Sequence, residues 1–184
     1  MIVRSREDSK LVYPDFYLTG IKLKETKEYK YLGHYLSADL SDDRDIYRQC
    51  QQLYGQANML VRKFGACSAA VKIKLFKAYC TPMYTAHLWR HYRRSSLHRL
   101  NVAYNDGLRM LLRVPRWSSA SQMFVNSGVP TCPAVLRRLM YSCMQRLTVS
   151  MNSIIQTLTN PALSSVRYFS STWTHWRVSL YRIT

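Results

Sequence analysis

The chain has 184 residues, with 27 Lys and Arg against 10 Asp and Glu, a formal net charge of +17 and a pI near 10.0. Hydrophobic residues at 47% and aromatic residues at 12% exclude a disordered chain, and a chain of this length buries roughly two-thirds of its unfolded surface. The absence of any run of about 18 apolar residues excludes a membrane span, and the opening MIVRSREDSK lacks the apolar core of a signal peptide, reading instead as the end of a strand from a longer chain.

Residues 13–37 read as strands. Pro14 and Gly20 punctuate FYLTGIKL, and the stretch from Glu28 to Ser37 is rich in Tyr and Leu. A ribbon of two or three strands is expected, too small to be stable without a packing partner. From Ser41 the pattern turns helical. Ile46, Cys50, Leu53, Ala57, Leu60 and Phe64 recur at spacings of three and four, an apolar stripe along one helix face. Ser41 or Asp42 is the expected cap, with Asp43 and Asp45 in the first turn, Arg62 and Lys63 in the last, and Gly65 as the stop. That assignment makes the acidic cluster 39–45 a capped helix start rather than a metal trap.

A second helix is expected from Ser68 through AAVKIKLFKAYC, although VKIKLFK alone also fits an alternating strand. Pro82 breaks the chain before MYTAHLW, and HYRRSS reads as a basic connector. Leu97 to Arg113 is the third helix, with Leu97, Leu100, Tyr104, Leu108, Leu111 and Leu112 inward. Ser118 to Asn126 is a short fourth, stopped by Gly128. Thr131 caps a fifth, with Pro133 in its first turn and Val135, Leu136, Leu139, Cys143 and Leu147 as its apolar face. The tail from Ser150 is rich in Ser and Thr and ends in WTHWRVSLYR, a candidate extension. The fold class is thus mainly α: a short N-terminal β-ribbon followed by a bundle of about five helices.

Charge is unevenly spread. Residues 1–45 hold eight basic and nine acidic residues, whereas residues 46–184 hold nineteen Lys and Arg and the single acid Asp106. So one-sided a surface favours a polyanionic partner, nucleic acid foremost. Three basic clusters follow one another: Arg62 and Lys63; Lys72, Lys74 and Lys77; Arg90, Arg93 and Arg94. Such residues neutralise phosphates, and flanking Tyr and Trp can stack on bases or sugars. Ordinary solvated helix faces intersperse Glu with Lys, which this chain does not. There is no Gly-rich phosphate loop, Gly-x-Ser-x-Gly or His-Glu-x-x-His. Asp106 is expected to pair with a nearby arginine. The five cysteines read as buried thiols, since Cys67, Cys80, His87 and His91 lack the tight knuckle of a zinc site.

In order, KYLGHYLSADLSDDRDI, GQANMLVRKFGACS, VKIKLFKAYC, LW, LNVAYNDGLRMLLRVPR and SASQMFVNSGVP resemble the part of LINE-type non-LTR retrotransposon reverse transcriptases that follows the catalytic palm, over about Lys30 to Tyr181. The resemblance implies a primer grip at Tyr31, Leu32 and Gly33, with Lys30 and His34 beside it. It also implies a thumb that tracks the template–primer duplex, for which Arg62, Lys63, Lys72, Lys74, Lys77, Arg93 and Arg94 are the candidates by charge. The family's Tyr-x-Asp-Asp turn and its further Asp, which bind magnesium, have no counterpart here. Asp42-Asp43 follows the grip motif rather than preceding it.

The expected division is 1–40, the end of the palm and grip strands; 41–113, a thumb-like bundle; and 114–184, a helical extension. The expected function is that of a reverse-transcriptase (RNA-directed DNA polymerase) fragment that binds RNA and DNA as a template–primer duplex. It would be no enzyme on its own, need no cofactor (magnesium serving the parent enzyme), pack on the parent's palm, avoid membranes and reside in nucleus or cytoplasm. The alternatives are a helical protein-interaction module or a retroelement remnant without function.

Overall fold

Six α-helices carry most of the fold, preceded by two small β-hairpins, in a computed structural model that describes residues 14–159. The expectation of a mainly α chain with an N-terminal ribbon is met. The ribbon is two separate antiparallel pairs, β1 (Tyr17–Leu18) with β2 (Ile21–Lys22), and β3 (Glu28–Tyr31) with β4 (His34–Ser37). Each pair closes through two residues of positive φ, Thr19-Gly20 at +50° and +79° and Leu32-Gly33 at +46° and +82°. Two successive left-handed residues match the twist of the flanking strands, which is why such tight hairpins form.

The chain divides into two compact units, Met1–Val129 and Pro130–Thr184. In the first, α1 (Asp43–Phe64) follows its predicted stripe: Ile46, Leu53, Ala57 and Leu60 are at most 2% exposed. Gly65 ends it in right-handed geometry. A β-carbon there would lie 2.5 Å from the Val61 carbonyl oxygen, so the position excludes a side chain by space rather than by dihedral. α2 (Ala69–Tyr79) confirms helix over strand for VKIKLFK. A connector with one 3₁₀ turn (Ala86–Leu88) leads to α3 (Arg94–Leu112), and α4 (Ala120–Ser127) closes the unit. In α4 the Ser119 hydroxyl accepts the Gln122 N–H and Gly128 ends the helix at φ +59°.

α1 and α3 run parallel. Asp43 meets Arg93 where both begin, a β-carbon on Gly107 would come within 3.3 Å of Ala57 Cβ, and the Arg113 guanidinium lies beside Gly65 where both end. The Ala57–Gly107 crossing lets the two backbones approach closely. Phe76 from α2 meets Tyr104 edge-on at 5.1 Å, and Phe124 stacks on Tyr104 at 6.0 Å. With Trp89 these rings fill the core.

α3 starts at Arg94 rather than Leu97, so part of the expected connector is helical. Its cap comes from outside: the Asp43 carboxylate accepts the Arg93 N–H at 2.9 Å. In the second unit, α5 (Cys132–Thr148) has Pro133 in its first turn as expected and buries Cys132, Val135 and Leu136, and α6 (Ser153–Thr159) follows. WTHWRVSLYR lies outside the described residues. Among the described residues no helix is long and apolar enough to cross a membrane. The five cysteines are unbridged; Cys50, Cys80 and Cys132 are buried, and burial pushes the Cys80 thiol up to about 12.

Candidate nucleic-acid interface

The implied grip residues sit at the tip of the β3–β4 hairpin. Lys30, Tyr31 and Leu32 are exposed, Leu32 at 73% and with positive φ, which a branched residue adopts only under strain. Gly33 is constrained twice. Its φ of +82° suits glycine, and a β-carbon would lie 3.1 Å from the Tyr84 ring. His34 is buried and points inward, so it is not part of an exposed grip. Arg44 lies over the rings of Tyr35 and Tyr47 at 5.5 and 5.9 Å, keeping cation and aromatic side chains together beside the hairpin.

What fixes this hairpin is the acidic cluster. Asp45 is fully buried, and its carboxylate accepts five hydrogen bonds: from His34 Nδ1 (3.1 Å), the Tyr35 N–H (3.3 Å), Arg48 Nε (2.8 Å), Thr85 Oγ1 (2.7 Å) and Trp89 Nε1 (2.8 Å). Burial works to raise its pKa, but the bonds from Arg48, Trp89 and Thr85 outweigh burial and hold it below the ordinary 3.8. Asp42 Oδ2 accepts the N–H groups of Arg90 and His91 at 2.5 and 2.7 Å, while its own N–H donates to the His91 carbonyl. Asp42 stands at the N-cap position of α1 with Asp43 and Asp45 in the first turn, as expected, but the expected side-chain cap is corrected. Neither Asp42 nor any other side chain caps α1 as its N-cap; Ser41 Oγ takes only the Asp43 N–H, at 3.3 Å, and the three aspartates reach across to the connector and to β4. Asp39, without an assigned role in the sequence, accepts the Ser37 hydroxyl and the Ser41 N–H.

These contacts join β4, the start of α1 and the connector 85–93 into one clasp. Thr85 holds a φ of +70°, strained for a β-branched residue, while its hydroxyl donates to Asp45 and accepts from Arg48 Nη2. Both Asp45 oxygens and Asp42 Oδ2 are taken by N–H and O–H donors, which does not suit them to a magnesium ion. Among the described residues no group of three or more His, Cys, Asp and Glu is placed to hold a metal.

Burial sets Asp42 apart from Asp45. It raises the Asp42 pKa above 3.8 despite the two backbone N–H bonds. A raised folded pKa contributes stability that is fully present below 3.8 and lost as pH rises through the folded value. Asn at this position keeps an acceptor for both N–H groups. Asp42→Asn is expected to be neutral to about 1 kcal/mol stabilising at pH 7. In urea titrations the gain should disappear as pH falls toward 3.8.

The basic clusters do not converge. Arg93 and Arg94 are exposed at the hairpin end of the α1–α3 pair; Arg62 and Lys63 are exposed at the other end, roughly 30 Å away for a helix of this length. Lys74 and Lys77 are exposed on α2 between them, whereas Lys72 is buried, on the same face as Phe76. Lys72 therefore leaves the set of residues able to meet phosphate. A groove of about 470 Å³ between the first halves of α1 and α3 is lined by Tyr47, Tyr54, Arg93, His98 and Arg99 among others. At the far end Asp106 pairs with Arg109 (3.5 Å) and Arg116 (3.7 Å), as its sequence position suggested.

No protein family, curated protein or solved structure matches the chain. The reading of this surface rests on its own chemistry.

The surface of the helices after residue 45 is one-signed for a structural reason. Asp42, Asp43, Asp45 and Asp106 are turned inward or paired, while Arg62, Lys63, Lys74, Lys77 and Arg94 face solvent. Sequence reading missed Thr85, Trp89 and the clasp because the partners lie 40 to 50 residues from their acids. The burial of Lys72 did have a signal: it stands four residues before Phe76, on the apolar face.

Proposed function

We propose that this chain is a duplex-binding body of the kind that follows the palm in LINE-type reverse transcriptases. Its helical bundle follows the phosphates of an RNA–DNA template–primer, and its β3–β4 tip contacts the primer end. The observation that carries this reading is the series of exposed Arg62 and Lys63 on α1 and Lys74 and Lys77 on α2, with Asp106 the single acid after residue 45 and that one paired. The protruding Lys30-Tyr31-Leu32 tip, held by the Asp45 clasp, supports the grip assignment. In this reading the chain binds without polymerising, Asp42, Asp43 and Asp45 being committed to the clasp.

The test is binding of the 184-residue chain to an RNA–DNA hybrid at several salt concentrations, followed by addition of Mg²⁺ and deoxynucleotides. Affinity should fall steeply with salt, with a log–log slope of roughly −0.9 per phosphate neutralised on B-form DNA, and the primer should not lengthen. Salt-independent affinity or no binding at low salt would sink the duplex reading, and reproducible extension would sink the non-catalytic one. A second reading is favoured by one observation: β1–β2 exposes Phe16, Tyr17, Leu18, Ile21 and Leu23. Such apolar side chains suit a protein neighbour, such as a palm, and a complex resistant to both nuclease and salt would support that reading.

A further inference from the structure

At the end of the bundle away from the hairpin, the segment Val114–Ser119 forms a turn that neither the grip nor the phosphate-tracking lysines account for. The Ser118 N–H closes on the Pro115 carbonyl at 3.1 Å, leaving Arg116 and Trp117 at the two corners. Trp117 is 88% exposed, whereas Trp89 is buried in the core. The turn under it is braced. Arg109 Nη2 donates to the Ser118 carbonyl at 3.1 Å, Arg109 Nη1 and Arg116 Nη2 lie 3.5 and 3.7 Å from the two Asp106 oxygens, and Pro115 fixes its own φ. Arg113 emerges from α3 in left-handed geometry and places its guanidinium beside Gly65, next to exposed Arg62 and Lys63.

We infer that Trp117 is a stacking platform for an unpaired base of single-stranded nucleic acid, with Arg113 and Arg116 neutralising the phosphates on either side. A flat aromatic face on a pre-set turn stacks on any base with little ordering cost, and surrounding cations keep the strand in place. Its arginines reach Asp106 and Gly65, in the second halves of α3 and α1 and away from the hairpin, so the site would take the unpaired template beyond a bound duplex. It rests on the duplex-binding reading for its place on the template, but not for its chemistry.

The experiment compares three ligands on the full chain: a blunt RNA–DNA hybrid, the same hybrid with a ten-nucleotide RNA overhang, and that overhang made abasic. The overhang should bind the wild-type chain about 5- to 100-fold more tightly than its abasic form does, the worth of one stacked base, because both forms keep the phosphate contacts. Trp117→Ala should erase the increment and leave blunt-hybrid affinity within about twofold, while Trp117→Phe should retain most of it. An increment that persists in Trp117→Ala, an abasic overhang that binds as tightly as the intact one, or a variant that weakens all three ligands alike would overturn the proposal. Failure of the blunt hybrid to bind would count against the duplex reading instead, because the isolated ten-nucleotide RNA still tests Trp117.

Discussion

Asp45→Ala is expected to destabilise the first unit by about 3–5 kcal/mol, the scale for removing one partner from a buried charged network. Five donors lose their acceptor at once, among them the indole of the buried Trp89 and the guanidinium of Arg48. Asp45→Asn should recover little, since an amide brings two hydrogens into a site built only of donors. The pH dependence has a definite sign. Because the folded pKa of Asp45 is held below 3.8, its contribution is present above 3.8 and is lost as pH falls through the folded value, the opposite of Asp42. Urea denaturation of both variants from pH 3 to pH 7 checks this. An Asp45→Ala loss under about 1 kcal/mol at pH 7 would show that the clasp is not held as the hydrogen bonds indicate. The clasp also sets the Leu32 tip, so hydrogen exchange in β3–β4 should speed up in this variant.

Replacing Arg62, Lys63, Lys74 and Lys77 together by Gln should weaken binding to an RNA–DNA hybrid on the order of a thousandfold at 0.1 M salt, and flatten the salt slope by about 3 to 4. All four side chains are exposed, so the fold should keep its denaturation midpoint. Lys72→Met is the internal contrast: buried beside the apolar face, it should leave the salt slope untouched. A quadruple variant with unchanged slope would place the phosphate contacts elsewhere on the chain. A slope that changes in Lys72→Met would show that this side chain swings out to bind.

Helix α1 was readable to the residue at its C-terminus because both signals there are local. The stripe from Ile46 to Leu60 repeats at helical spacing, and Gly65 marks the end. The start of α3 was not readable, because its cap is the carboxylate of Asp43, fifty positions earlier. The acids 42–45 illustrate the same limit. Acidic residues before a helix look alike whether they cap it or fasten other elements to it, and the local pattern pointed to the cap. Trp117 sat in a segment that reads as an ordinary turn, and only its exposure on a braced corner sets it apart.

The sequence by itself determined the mainly helical class, the approximate places of the first five helices and the sign of their surface charge, since periodicity, stop residues and composition act over a few positions at a time. The tertiary structure alone decided which acids are spent on holding the hairpin, which lysines face water, and that Trp117 rather than Trp89 is left in it. Those outcomes depend on donors and apolar neighbours that folding brings together from β4, α1, the connector and α3. No window of the sequence contains them at once.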